Sequence, residues 1–358
     1  MTLSRLSLAQ FRSWRHLTLD LDARPLAIFG ANGSGKTNIL EAMSMLSPGR
    51  GLRGAGAGEQ ARQGVDTGWR VRATLGEHQL ETVAPPGQGR GVIIDDKPAP
   101  QTALGRMLRI IWLVPAMDRL WSDPPEVRRR FLDRVTLSLI PDHAETALTY
   151  DKAMRERNRL LRDQASDPGW YRALEGQMAE SGAALTCNRL AAIARVMAAQ
   201  RDAETSFPAA TLNLLPGEGF ADDADPASIA DRMARIRPRD LAAGRSLTGP
   251  HRADLGAHWG PQDMPAALSS TGEQKALLLS LMLANARALA DQPVVLLLDE
   301  VAAHLDADRR AALYDEIAAL PAQTLLTGTG PELFQAFGSR ARRLMIAKTG
   351  GQSSAEEV

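Results

Sequence analysis

Three features of the chain predict an α/β fold of the phosphate-binding-loop (P-loop) class, carrying an antiparallel side sheet and interrupted by a helical insertion. The first is the apolar run Leu26-Ala27-Ile28-Phe29, followed by Gly30-Ala31-Asn32-Gly33-Ser34-Gly35-Lys36-Thr37 and the helix formers Asn38 to Met43. This order reads as strand, phosphate loop and helix. The second is Val294 to Leu298 running into Asp299-Glu300, an unbroken apolar run of the kind that a parallel strand covered on both faces requires. The third is a pair of segments helical in period, Ala144 to Arg162 and Gly169 to Ala203, separated by the turn Ser166-Asp167-Pro168.

The remaining elements follow in order. Thr2 to Phe29 supplies two or three strands and Asn38 to Leu46 a helix, with a loop from Ser47 to Gly64. Short strands at Trp69 to Leu75, Gln79 to Val83 and Gly91 to Ile94, separated by turns such as Pro85-Pro86-Gly87, make the side sheet. Ile110 to Val114 is a core strand ending at Pro115, and Pro125 to Leu139 is a helix. At 1.5 Å per residue the two helices of the insertion run roughly 30 to 50 Å, enough for a short antiparallel hairpin. From Ser246 the α/β pattern resumes, with an apolar helix over Lys275 to Leu289, and Gly350 to Val358 reads as a disordered tail. The expected division is therefore residues 1–140 and 241–349 as two halves of one α/β head, 141–240 as a helical arm, and 350–358 as the tail.

The chemistry follows from the first two features. Gly30, Gly33 and Gly35 allow the tight bends that turn successive N–H groups from Ala31, Asn32, Ser34 and Lys36 onto a phosphate at the start of a helix. Lys36 adds a cation for the outer phosphate oxygens, and Thr37 offers a hydroxyl to Mg²⁺, with Asn38 next in line. Asp299 completes the Mg²⁺ site, and Glu300 stands where it could polarise an attacking water. Lys36, Asp299 and Glu300 are thus the candidate catalytic residues, and a nucleoside triphosphate with Mg²⁺ is the expected ligand.

Composition narrows the setting. With 358 residues and 44% hydrophobic content the chain can build a large split domain and a smaller one. Met1 to Arg5 lacks a signal-peptide pattern and no uncharged apolar run reaches bilayer length, which predicts a cytoplasmic protein with no membrane role. Cys187 is the single cysteine, so an internal disulfide is impossible, and its Ala-rich helical surroundings suggest packing. The six histidines show no metal-ligand spacing. Basic and acidic residues balance at 42 each, so a polyanion partner needs a local patch. The candidates are Arg50 with Arg53, Arg128 to Arg130, and Arg155, Arg157, Arg159 and Arg162, although each could equally be a solvated helix face.

Ser270-Thr271-Gly272-Glu273-Gln274, just before the long helix, resembles the signature motif of ABC-type ATPases. Taken alone, it would also serve as a capping box. Ala303-His304-Leu305-Asp306 resembles the D-loop of that class, and Gln323 to Thr327 the strand before its switch residue. A histidine is usual at the switch, whereas this chain offers Thr327 or Thr329. Within the class the chain resembles the RecF family of bacterial recombination mediators, relatives of SMC-type heads. The resemblance rests on Phe11-Arg12, the P-loop, Gly49 to Arg53, Val114 to Asp118, Pro124 to Asp133, and Thr248-Gly249-Pro250-His251-Arg252-Ala253-Asp254-Leu255. A transporter ATPase would instead show a glutamine loop and a short helical subdomain, and neither is found.

The resemblance implies an ABC-type, SMC-like P-loop ATPase head. It implies that Arg12, Ser270, Gly272, Gln274, Asp306 and Thr327 join the P-loop in nucleotide binding, and that the signature of one copy faces the P-loop of another in an ATP-dependent homodimer. It further implies binding of ssDNA, dsDNA and gapped junctions, weak DNA-stimulated ATP hydrolysis, and loading of RecA with RecO and RecR. Two alternatives remain: an ATPase that couples to a membrane complex, and a nucleotide-gated protein scaffold with little hydrolysis.

Overall fold

A computed structural model describes residues 2–217, 225–260, 263–303 and 305–358. The strands are β1 (Leu3–Phe11), β2 (Trp14–Asp20), β3 (Leu26–Phe29), β4 (Trp69–Leu75), β5 (His78–Ala84), β6 (Gly91–Ile94), β7 (Lys97–Ala99), β8 (Arg109–Leu113), β9 (Ala210–Leu215), β10 (Asp254–Trp259), β11 (Met264–Pro265), β12 (Val294–Leu298), β13 (Gln323–Gly328), β14 (Arg342–Thr349) and β15 (Gln352–Glu357). The helices are α1 (Lys36–Ser44), α2 (Ala57–Gln60), α3 (Gln101–Met107), α4 (Pro125–Leu139), α5 (His143–Arg162), α6 (Pro168–Arg201), α7 (Pro226–Ala243), α8 (Thr271–Arg287) and α9 (Ala307–Ala319). No helix among the described residues is long and apolar enough to cross a membrane.

The chain divides into two compact units. One comprises residues 1–118, 204–206 and 282–358, the other 119–203 and 207–281. In the first, a core sheet has the order β15-β14-β3-β13-β12-β8. Strands β8, β12, β13, β3 and β14 pair in parallel, and β15 returns antiparallel to β14. Every residue of β3 and β12 is buried, as continuous apolar runs in a covered parallel sheet require. Because β13 lies between β3 and β12, the loop leaving β3 and the acids leaving β12 emerge one strand apart, at the carboxyl ends where α/β sheets bind ligands. A second, antiparallel sheet runs β2-β1-β4-β5-β6-β7. Its strands alternate buried and exposed residues, as in Trp69–Leu75, which suits a sheet packed on one face. Thus β1 and β2 extend the side sheet.

In the second unit α5, α6 and α7 pack around Tyr150, Ala153, Met178, Ala179, Leu185, Ile229 and Met233. Arg157, 1% exposed, holds this arm together through Glu175 at 3.0 Å and Asp240 at 2.7 Å.

Three expectations are corrected. The polar stretch after Gly350 is ordered as β15: Gly350 and Gly351 adopt positive φ (58° and 81°) in a tight turn, and the Arg342–Glu357 ion pair at 2.6 Å fastens the strand end. The α/β pattern after Ser246 does not return to the head at once, because β10 pairs with β9 and β11 in a separate three-stranded sheet. The compact head accordingly resumes at Met282, and the arm unit begins at Arg119, so boundaries placed at 140 and 240 cut through the second unit. Cys187 is exposed on α6, not packed.

Candidate nucleotide site

The site is built where β3 hands over to α1. Gly30 lies at φ 150° and Gly35 at φ 111°, both in the left-handed half of the map that glycine alone enters cheaply. Space demands glycine as well: a Cβ on Gly30 would collide with the Ile346 carbonyl, and one on Gly35 would lie 2.6 Å from Ser13 Oγ. The loop is braced from behind by the C-terminal hairpin, where Ser353 Oγ donates to the Ser34 carbonyl at 2.5 Å and shares a 2.7 Å hydrogen bond with Ser13 Oγ. Asn38 Nδ2 donates to Ser13 Oγ at 2.8 Å, joining α1 to the same polar chain.

Lys36 is buried, and its ammonium donates to the carbonyls of Gly30 at 2.7 Å and Ala31 at 3.1 Å. Burial pulls its pKa below the ordinary lysine value, while the carboxylates of Glu300 and Asp299 work in the opposite direction. Thr37 Oγ1 donates to Asp299 Oδ1 at 2.9 Å, although the two residues lie 262 apart in sequence. Glu300 holds φ 54°, a strained conformation for a residue with a side chain. Its N–H donates to Thr327 Oγ1 at 3.0 Å.

A nucleoside triphosphate with Mg²⁺ fits these residues. A Cβ added to Gly33 would meet nothing within 4 Å, so the loop leaves open space for an anion there, and Ser34 Oγ is buried without a hydrogen-bond partner. The hydroxyl of Thr37 and the carboxylate of Asp299 are hard oxygen donors of the type Mg²⁺ prefers. Two cavities flank the loop. One, of about 760 Å³, is lined by Gly30 to Ser34, Thr329 and Lys348. The other, of about 400 Å³, is lined by Arg12, Ser13, Asn38, Arg62 and Lys348.

Other expected site residues take different positions. Arg12 faces the second cavity, but its guanidinium is held by Glu41 Oε1 at 2.6 Å and by the Glu59 carbonyl at 2.6 Å. Thr327, expected as the switch, is 1% exposed and donates to Asp299 Oδ1 at 2.6 Å. Its hydroxyl positions the acidic pair, so Thr329, on the first cavity wall, is the residue open to a ligand. In the second unit Ser270 and Glu273 form a capping box, with Ser270 N–H to Glu273 Oε2 at 2.8 Å. Gly272 has no neighbour within 4 Å of a Cβ added to it. Gln274 is buried and donates to the Ser269 carbonyl at 3.0 Å, which makes it a brace for the turn that enters α8. Asp306 caps α9 through Arg309 N–H at 2.8 Å. His304, in the expected D-loop, lies outside the described residues.

Of the arginine candidates, Arg128 is committed to Asp254 at 2.7 Å and Arg129 to the Ala253 carbonyl at 2.9 Å. Arg157 is buried, and Arg53 pairs with Glu41 at 2.7 Å. Arg50, Arg130, Arg155, Arg159 and Arg162 remain exposed. Sequence reasoning missed Ser13, Arg62, Lys348 and Ser353. The signal for the last two was the glycine pair that turns the terminal hairpin.

Comparison with known proteins places this geometry in a family. A family model described as "AAA domain" matches residues 5–63. The chain is 43% identical to the DNA replication and repair protein RecF of Mesorhizobium japonicum, over 96% of each chain. It is 44% identical to the protein of the same name from Rhizobium etli, over 97% of each. Among solved structures, one of the recombination mediator RecF with ATP superimposes with TM-score 0.84 at 21% identity, covering 99% of this chain and 97% of that one. An SMC head bound to a winged-helix domain of ScpA follows the same fold at TM-score 0.56 and 15% identity, over 100% and 98%.

Proposed function

The chain belongs to the RecF family, and from that premise we propose that it is an ATP-binding, DNA-binding recombination mediator acting in repair and at replication forks. The observation that carries the reading is the convergence of Lys36, Thr37, Asp299 and Glu300 on one glycine loop in a chain 43% identical to a RecF protein over 96% of its length.

The residues divide the work. The N–H groups of the glycine loop and Lys36 bind the phosphates, and burial of Lys36 strengthens each of those contacts by excluding water. Thr37 and Asp299 hold Mg²⁺, which when bound offsets phosphate charge and orients the outer oxygens. Glu300 orients a water and accepts its proton, giving a slow ATPase. Ser270 and Gly272, exposed at the start of α8, close the site of a second copy, so that ATP favours a homodimer and hydrolysis releases it. The dimer engages gapped or single-strand/duplex junctions and, with RecO and RecR, helps load RecA. A second reading, a nucleotide-gated scaffold with little hydrolysis, is favoured by one observation: the Thr327 hydroxyl is buried against Asp299, with Gly328-Thr329 where a histidine switch is usual.

The test is a titration of gapped, single-stranded and duplex DNA with ATP, with ADP and without nucleotide, over a range of salt. The reading predicts ATP-enhanced binding whose logarithm falls linearly with log salt. Absence of salt-sensitive DNA binding in all three nucleotide states would refute it.

A further inference from the structure

We propose that the end of the helical arm where α5 gives way to α6 is a docking surface for single-stranded nucleic acid, with Trp170 as its stacking platform. The inference rests on the DNA-binding reading above and adds the surface and the type of strand. Three elements converge there. Gln164 Nε2 donates to the Leu241 carbonyl at 3.0 Å, tying the α5–α6 turn to the end of α7, and Arg237 reaches Glu175 at 2.5 Å. The inward charges Arg157, Arg237, Glu175 and Asp240 therefore neutralise one another within the bundle.

What faces solvent is unbalanced. Arg159, Arg162, Arg172 and Arg245 are exposed against the exposed acids Asp163 and Asp167, while Arg155, a turn further back on α5, stands beside the exposed acids Asp151 and Glu156. The one pairing between these groups, Arg159 with Asp163, spans 3.8 Å with both side chains more than 60% exposed, and such a contact holds a charge loosely. In a chain with no net charge, this local excess of cations stands out as a patch suited to phosphates. Trp170 stands in the first turn of α6, between Arg162 and Arg172 in sequence, and is 63% exposed. Its backbone is rigid, because Pro168 opens α6 and Asp167 caps it through Gly169 N–H at 2.7 Å. An indole fixed at the start of a long helix loses little freedom when a base stacks on it, and only an unpaired strand offers a free base face.

The test is anisotropy of a labelled oligothymidylate strand, and of a labelled duplex, with the full chain and ATP. Trp170→Ala should weaken single-strand binding about tenfold and leave duplex binding nearly unchanged, whereas Trp170→Phe should retain most of it. Arg159→Glu with Arg162→Glu should flatten the single-strand salt slope by about 1.4, for two phosphate contacts at about 0.7 each. All these side chains are exposed, so thermal unfolding should match the parent. If the parent binds DNA and the variants bind it with equal affinity and slope, the patch is not a nucleic-acid surface and the inference falls while the DNA reading stands. If Trp170→Ala weakens duplex binding equally, the stacking argument fails. If the parent binds neither DNA, both fall together.

Discussion

Thr327→Val isolates the hydroxyl that links the two acids of the site. Valine keeps the shape of threonine, so the 1% exposed position stays filled. The change removes the bond to Asp299 Oδ1 at 2.6 Å and leaves the Glu300 N–H, 3.0 Å from the lost oxygen, without its acceptor. A hydrogen bond to a charged group contributes about 1.5–3 kcal/mol, and an abandoned donor adds about 1 kcal/mol. The expected loss is therefore about 3 kcal/mol, a large share of the roughly 5–15 kcal/mol typical of a folded protein. Asp299 keeps its bond from Thr37 at 2.9 Å, so phosphate and Mg²⁺ binding should suffer less than hydrolysis, which needs Glu300 held at φ 54°. Denaturant unfolding with and without nucleotide, beside single-turnover hydrolysis, measures both effects. Thr327→Ser should restore most of each. A valine variant within about 0.5 kcal/mol of the parent and with unchanged hydrolysis would refute the positioning role.

Other consequences are equally direct. Lys36→Ala should abolish nucleotide binding, whereas Glu300→Gln should retain it and prolong the dimer; equal loss in fluorescent-nucleotide titrations would contradict the assigned roles. Ending the chain after Thr349 removes Ser353 from Ser34 and Ser13 and should lower nucleotide affinity roughly tenfold by calorimetry, where loss of a disordered tail would change nothing. His251 is pushed down to about 4, chiefly by burial, so the unfolded chain takes up this proton first on acidification and stability falls as pH drops from about 6.5 toward 4. Between pH 7 and 5 this group costs about 2 kcal/mol, and His251→Gln should flatten that part of the denaturation profile; an unchanged slope would show that the imidazole is not what titrates.

How much the sequence disclosed depended on range. The P-loop was legible because strand, turn and helix are contiguous and their glycines are dictated by local geometry. Asp299 was legible because a buried parallel strand admits no polar residue until it leaves the sheet. Its contact with Thr37 needs β13 and β3 side by side, which no local pattern encodes. The strand β15 was illegible because, at the sheet edge, only Ser353 among its residues is fully buried, so no apolar alternation marks it. Thr327 was read as a ligand residue because its strand position was right; its burial under Asp299 follows from register. Arg157 looked like one of a surface run and proved to be the buried hub of the arm, since its partners Glu175 and Asp240 arrive from other helices.

The central claim is that triphosphate is shared between two copies, the glycine loop of one facing Ser270 and Gly272 of the other. Sedimentation equilibrium with ATP, with ADP and without nucleotide tests it most directly. The account predicts twice the protomer mass with ATP and a monomer otherwise, with Ser270→Arg holding the monomer while still binding nucleotide. A protomer that binds ATP yet stays monomeric at high concentration would contradict it.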